Sequence, residues 1–243
     1  MPRTPRKPEE IQAEKQRILS EALNIITERG YEGLTMRGLG ERLGVAAKTI
    51  YNYFRNKDEV YLQVAMREFE ALHGELLEAY HTSRDPDERL EAITKRLLAF
   101  GLSHPAQYDL MFSLYLPKYR DFFGSPLEDV AARGLRGALR IRELIVRVIR
   151  EIAEAAGDFT EEEIVLHSMA WLTGMHGILA LYNNAILSYL HDQPQTTLEM
   201  LAEIHLRNFR TERMRRSGVG PRQRSKPKPK STKRKKTGPT KKR

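Results

Sequence analysis

The chain has 243 residues, 40% of them hydrophobic, with 41 Lys and Arg against 32 Asp and Glu for a formal charge of +9. That is enough apolar material for one large domain, or for a small one beside a larger one. Cysteine is absent, which excludes disulfides, thiol catalysis and cysteine-based zinc sites.

The charge is unevenly placed. Residues 211–243 hold 15 basic residues against a single acid, Glu212, whereas residues 1–210 hold 26 basic and 31 acidic ones. A mildly acidic body with a basic tail points to an appended polyanion-binding arm. The first residues are basic but lack an apolar run, so no secretory signal is expected and a cytoplasmic, nucleoid-associated protein is the default.

Taken in order, residues 1–8 read as a disordered basic arm, in which Arg3, Arg6 and Lys7 can lie along phosphates. A helix over Glu9–Arg29 follows, with Ile11, Ile18, Ala22, Ile25 and Ile26 as its apolar stripe and Gly30 ending it. In Leu34–Lys57, LTMRGLGERLGVAAKTIYNYFRNK, Thr35 is an N-cap, and Met36, Leu39 and Leu43 share one helical face. Gly44 permits a left-handed exit, Gly40 marks a close approach, and Ile50 and Phe54 seat a second short helix. This spacing predicts a helix-turn-helix whose second helix enters the DNA major groove.

Asn56 and Glu59 form a capping box for a helix over Lys57–Tyr80, and Asp85-Pro86 starts another over Asp87–Ser103. A short aromatic helix comes after His104-Pro105, then a loop over Pro117–Pro126, then a long helix over Leu127–Ala156. The long helix carries an apolar face (Leu135, Ala138, Leu139, Ile145, Val146, Ile149, Ile152) and an arginine face (Arg133, Arg136, Arg140, Arg147, Arg150). The arginine face reads as solvated and paired with carboxylates, with an anionic ligand or a second DNA contact as the alternative.

Glu161–Glu163 open the most apolar helix, and Ile164–His191 contains no charged residue. His167, His176, Asn183 and Asn184 argue against a membrane span, so burial in the protein or at a subunit interface is expected. Ala170, Gly174 and Gly177 form a small-residue stripe that admits a close neighbour. A last amphipathic helix over Thr196–Met214 carries Leu198, Leu201, Ile204, Leu206 and Phe209. Residues 217–243 are too polar to bury a core and read as a disordered tail.

The string GYEGLTMRGLGERLGV, followed by TIYNYFRNKDEV, resembles the DNA-binding region of TetR-family transcriptional regulators. A second, shorter match, Trp171-Leu-Thr-Gly-Met-His176-Gly177 together with HPAQYDLMFS at His104–Ser113, is similar to a TetR subgroup marked by a Trp and a His-Gly pair. The resemblance implies an all-α fold. An N-terminal three-helix DNA-binding domain (9–56) would precede a larger helical effector-binding and dimerisation domain (57–216).

By that resemblance Thr35, Thr49, Tyr51, Tyr53 and Lys57 fall on phosphate-contacting positions, and Arg37, Ala47, Lys48 and Asn52 on base-facing ones. Two departures stand out. Ala46 replaces the usual capping Ser or Thr, and Lys48 stands where Gly is common. An effector cavity is expected among Phe100, Tyr108, Met111, Phe112, Tyr115, Met169, Trp171, Met175, His176 and Tyr182. Most residues at such helical spacing are ordinary core, and Trp171 and His176 are the strongest candidates for the cavity.

The implied protein is a homodimeric regulator, in the first instance a repressor, that binds a pseudo-palindromic double-stranded DNA site and responds to a small molecule. No cofactor, metal or membrane partner is expected, and no catalytic motif is present. The rivals are an architectural DNA-binding protein acting through its tail, and a helical ligand-binding or enzyme module with a vestigial reader.

Overall fold

The computed structural model describes residues 7–112, 117–157 and 159–211. Among the described residues the chain is helical and without strands. The N-terminal unit comprises α1 (Pro8–Gly33), α2 (Met36–Leu43) and α3 (Ala47–Tyr51). Next come α4 (Lys57–Tyr80), α5 (Pro86–Ser103) and α6 (Pro105–Phe112). A 3-10 turn at Tyr119–Phe122 precedes α7 (Glu128–Ala156) and α8 (Glu161–Asn183), and α9 (Leu187–Leu190) and α10 (Pro194–Arg207) complete the order.

Two apolar cores form, and α4 contributes to both. The smaller gathers Ile18, Ala22, Leu34, Leu39, Ile50, Phe54, Val60 and Val64, and it draws in Leu110 from α6 and Leu127 and Ala131 from the start of α7. The larger holds Leu72, Leu76 and Tyr80 of α4 against Leu90, Leu97, Ile145, Val148, Trp171 and Leu198. The N-terminal half of α4 therefore belongs to the reader and its C-terminal half to the larger bundle. Arg55 adds a polar tie, donating to the Pro126 carbonyl at 2.7 Å.

Local signals account for the helix ends. Thr35, Asn56, Asp85 and Thr160 each accept a hydrogen bond from the backbone N–H three residues on, satisfying a donor that the helix itself leaves open. Gly44 sits at φ 69°, ψ 28°, the left-handed exit expected of it. Gly30, at φ 70°, interrupts α1, and a final turn carries the helix on to Gly33.

Several expectations need correction. Glu59 turns back to the N–H of Arg55 at 2.7 Å, so the reciprocal arm of the expected capping box closes one residue before Asn56. Ile11 is exposed, because α1 overhangs the core at its start. Leu135 and Leu139 are exposed as well; Ile145, Ile149 and Ile152 of the expected face are buried, and Val130, Ala131, Ile141, Leu144 and Val148 complete the buried side of α7. The Pro117–Pro126 loop contains the 3-10 turn, whose Phe122 is buried in the smaller core. The uncharged stretch up to His191 is not one helix: α8 stops at Asn183, and Ala185 at φ 57° turns the chain before α9. Residues Leu114, Tyr115, Leu116, Arg3 and Arg6, the end of the last helix toward Met214 and the tail 217–243 lie outside the described residues.

Candidate nucleic-acid interface and ligand cavity

The geometry of α2 and α3 follows from a few contacts. Arg42 clamps α2 to α1 with two parallel hydrogen bonds to Glu28, both 3.0 Å, and a third to Glu21 at 2.6 Å. That pairing holds the Glu28 carboxyl below its ordinary range. Arg17 donates to the Leu43 carbonyl at 2.9 Å. At the turn, the Val45 N–H reaches the Gly40 carbonyl at 2.9 Å, and a Cβ on Gly40 would lie 2.8 Å from the Val45 carbonyl oxygen. Only glycine permits that approach. Ile50 and Phe54 then anchor α3 from below.

With those two side chains buried, the opposite side of α3 faces outward. Lys48, Tyr51 and Asn52 are exposed, Tyr51 by 54%, while Ala47 and Thr49 are half-buried. Positions 47, 48, 51 and 52 share one helical face, so the structure brings together four of the residues expected to meet DNA. Asn52 is the C-cap of α3, one residue beyond the helix proper. Ala46 gives α3 no side-chain cap, as its replacement of Ser or Thr implies.

Thr35 and Arg37 flank the start of α2. Thr35 spends its oxygen on the Gly38 N–H at 3.0 Å and keeps its hydroxyl proton to donate. Arg37 is exposed but paired with Glu41 at 2.8 Å. Lys57 reaches Glu32 at 3.2 Å and lies 4.3 Å from the Tyr31 ring centre. The Tyr31 hydroxyl in turn bonds Asp58, and burial with that carboxylate pushes its pKa well above the usual tyrosine range. Tyr53 is half-buried against the smaller core. Arg55 is exposed between α3 and α4 with its guanidinium donating to the Pro126 carbonyl, and nothing in the sequence sets it apart from any loop arginine.

The larger domain contains a cavity of about 290 Å³ lined by Leu76, Leu97, Tyr108, Phe112, Ile141, Trp171, Leu172, Thr173, His176 and Gly177. Of the residues expected there, Tyr108, Phe112, Trp171 and His176 line it. Phe100, Met111 and Met175 are buried in the core and do not reach the wall; Tyr182 is half-buried away from it. Met169 is 52% exposed on the outer side of α8, because residues two apart on a helix point in different directions, and Trp171 takes the inner one. Tyr115 lies outside the described residues. Leu76, Leu97 and Ile141, which complete the wall, carry no sequence signal separating cavity from core.

The polar groups of this cavity are few. The Tyr108 hydroxyl and His176 Nδ1 are 3.0 Å apart, with their rings stacked at 5.8 Å between centres. Burial and the nearby Asp109 push the Tyr108 pKa up, so its hydroxyl stays protonated. Trp171 is fully buried, its carbonyl bonds His205 Nε2 at 3.1 Å, and its indole Nε1 has no hydrogen-bond partner among the described residues. Gly174 is where α10 closes on α8: an added Cβ would collide with the His205 ring. The close neighbour of that small-residue stripe is thus a helix of the same chain, while Gly177 opens onto the cavity.

Comparison with known proteins places this geometry. Residues 18–64 match the model of bacterial regulatory proteins of the tetR family, and residues 90–205 match that of the tetracyclin repressor-like C-terminal domain. Among curated proteins the chain is similar to the HTH-type transcriptional activator FasR of Mycolicibacterium smegmatis, 31% identical over 39% of this chain and 43% of that protein. It is also similar to the HTH-type transcriptional repressor KstR of the same organism, 35% identical over 34% of this chain and 41% of that one. The chain thus spans less than half the length of the curated relatives it matches.

Among solved structures, the fatty acid degradation regulator FadR from Bacillus halodurans superposes with a TM-score of 0.59 at 15% identity, covering 84% of this chain and 97% of that one. A transcriptional regulator from Pseudomonas aeruginosa PAO1 gives 0.61 at 18% identity, covering 84% and 96%. At such identities these two speak for the fold alone. Matched by one family model across its reader and by another across the bundle that holds the cavity, the chain belongs to the TetR family.

Proposed function

We propose that the protein is a DNA-binding transcriptional regulator that sits on a pseudo-palindromic site as a homodimer and is released by a small molecule in the Tyr108–His176 cavity. The observation that carries the first part is the outward face of α3, with Lys48, Tyr51 and Asn52 held clear of the core by Ile50 and Phe54. Arg37 and Lys48 suit guanine N7 and O6, Asn52 suits adenine, and Thr35, Thr49, Tyr51, Tyr53 and Lys57 offer donors to phosphates. We take repression as the working sign. A cytoplasmic, nucleoid-bound location accords with this role.

Dimerisation is supported by what α8 and α10 leave uncovered. In the most apolar 18-residue window of α8 only 28% is buried, although by length and composition the helix would also cross a membrane. Leu166, Met169, Ala170 and Thr173 form an exposed stripe at steps of three and four, and Met200 and Ile204 continue it on α10. A second copy is the occupant that would cover such a face by two-fold symmetry.

Selection of genomic fragments by the full chain, and by a chain ending at residue 216, tests the proposal. A shared short palindrome is the expected result from both. Enrichment of nothing by the shorter chain, with indiscriminate binding by the full one, would overturn the regulator reading in favour of an architectural protein. The 15 basic residues within 211–243 keep that second reading in view. In either case they are expected to steepen the fall of affinity with salt, through counterion release.

A further inference from the structure

The arginine face of α7 departs from the carboxylate pairing that its sequence suggests. Of Arg133, Arg136, Arg140, Arg147 and Arg150, only Arg150 holds a carboxylate among the described residues, Glu161 at 2.7 Å. The other four are exposed without an ion pair there. On earlier helices Arg37, Arg42, Arg67, Arg89 and Arg96 each meet a carboxylate, so the bare guanidiniums mark α7 out. The carboxylate one turn beyond Arg147 is already committed: Glu151 accepts from the Tyr80 hydroxyl and from Arg89, both at 2.7 Å. Arg147 is left with the Tyr80 ring, 5.8 Å from its centre.

Two of these arginines converge on one space. His73 and Leu77 of α4, with Arg140, Glu143, Leu144 and Arg147 of α7, line a cavity of about 250 Å³ that shares no residue with the Tyr108–His176 cavity. The surplus positive charge is felt at His73. Burial, Arg140 and Arg147 hold its pKa below the ordinary value, against the opposite pull of Glu143. We propose that this cavity binds a small, dianionic phosphate monoester. The two guanidiniums present N–H forks to phosphate oxygens, the geometry that arginine matches best. With His73 protonated by the arriving dianion, the wall carries two positive charges net of Glu143, as a dianion requires. A monoanion leaves that charge unmatched, while Leu77 and Leu144 offer apolar contact to the organic part of the ester. Occupancy ties the distal half of α4 to α7. The inference is independent of the effector reading of the other cavity.

His73 reports on the site from within it. The full chain is titrated with pH while its imidazole resonances are followed, His73 being identified by the signal missing from His73→Gln. Phosphate held by the reader or by the basic tail does not enter this local readout. The probes, at equal ionic strength, are glycerol 3-phosphate, chloride and dimethyl phosphate, a monoanionic diester that stands in for a nucleic-acid or phospholipid backbone. Glycerol 3-phosphate should raise the His73 titration midpoint by about half a pH unit or more, and the other two should leave it in place. In the double variant Arg140→Gln with Arg147→Gln, the midpoint should start higher and no longer respond, with helical content unchanged. Glu143→Gln should bind glycerol 3-phosphate severalfold tighter.

A His73 midpoint indifferent to glycerol 3-phosphate overturns the proposal on the unmodified protein, whether or not the variants fold. An equal response to dimethyl phosphate overturns it as well, and assigns the arginines to a phosphodiester backbone instead. So does a response that survives loss of both arginines, or weaker binding in Glu143→Gln.

Discussion

Replacing Gly40 with alanine tests how closely the two reader helices are packed. The new Cβ would lie 2.8 Å from the Val45 carbonyl oxygen, 3.1 Å from Ala47 N and 3.3 Å from Ala47 Cα. All three are backbone atoms, so no rotamer change relieves the contact and the turn itself must move by a few tenths of an ångström. Ile50 and Phe54, which hold α3 in place, resist that movement. Overpacking of this kind costs about 1–3 kcal/mol. Against it stands the gain from replacing glycine inside a helix, about 1 kcal/mol.

Gly74→Ala isolates the clash. That glycine is exposed within α4, and nothing lies within 4 Å of the place its Cβ would take, so it gains the helix term without the contact. Urea unfolding with an unchanged slope should place Gly40→Ala about 1–3 kcal/mol below Gly74→Ala. Site-specific DNA binding should fall in the first variant and hold in the second. Equal urea midpoints, or a more stable Gly40→Ala protein, would refute the close-packing argument.

Three further outcomes are expected. Glu41→Gln removes the carboxylate that holds Arg37 at 2.8 Å and should tighten DNA binding severalfold at low salt, read by fluorescence anisotropy; weaker binding would show that the pair orients Arg37 productively. Met169→Lys with Ile204→Lys places charge on the uncovered face of α8 and α10 and should yield a monomer by analytical ultracentrifugation, with helical content unchanged; a persistent dimer would move the interface elsewhere. Burial holds His167 below its ordinary value despite Glu163, and burial with Arg140 and Arg147 does the same to His73 despite Glu143. Their contribution to stability is complete above a pH of about 6.5 and is lost as pH falls toward the lowered folded values. The melting temperature should therefore drop between pH 7.5 and 5.5, and less so in His167→Phe, by calorimetry.

The reader was legible because each of its devices is local. Thr35, Gly40, Gly44, Ile50 and Phe54 act within twenty residues of one another, and turn and cap chemistry states their roles almost unaided. The span of α4 was equally clear from Asn56 and the break after Tyr80. Legibility faded where a distant partner decides the outcome. Leu135 and Leu139 have the spacing of a buried face, but the elements packed on α7 select Ile141, Leu144 and Val148 instead. Met169 and Trp171 look alike as large apolar residues of one helix, and only the position of α10 and α5 makes one an outer residue and the other part of a cavity wall. That the Trp171 indole N–H has no partner among the described residues is wholly a product of tertiary placement.

The sharing of α4 between two cores has a mechanical meaning. At 1.5 Å per residue its 24 residues make a rod about 36 Å long, with Lys57 at one end and the cavity residue Leu76 near the other. A tilt of about 5° about the far end sweeps the near end through about 3 Å, close to the roughly 3.4 Å rise of one base pair. By this geometry alone, a sub-ångström adjustment beside Leu76 would be magnified at Lys57 to about the spacing of one base pair.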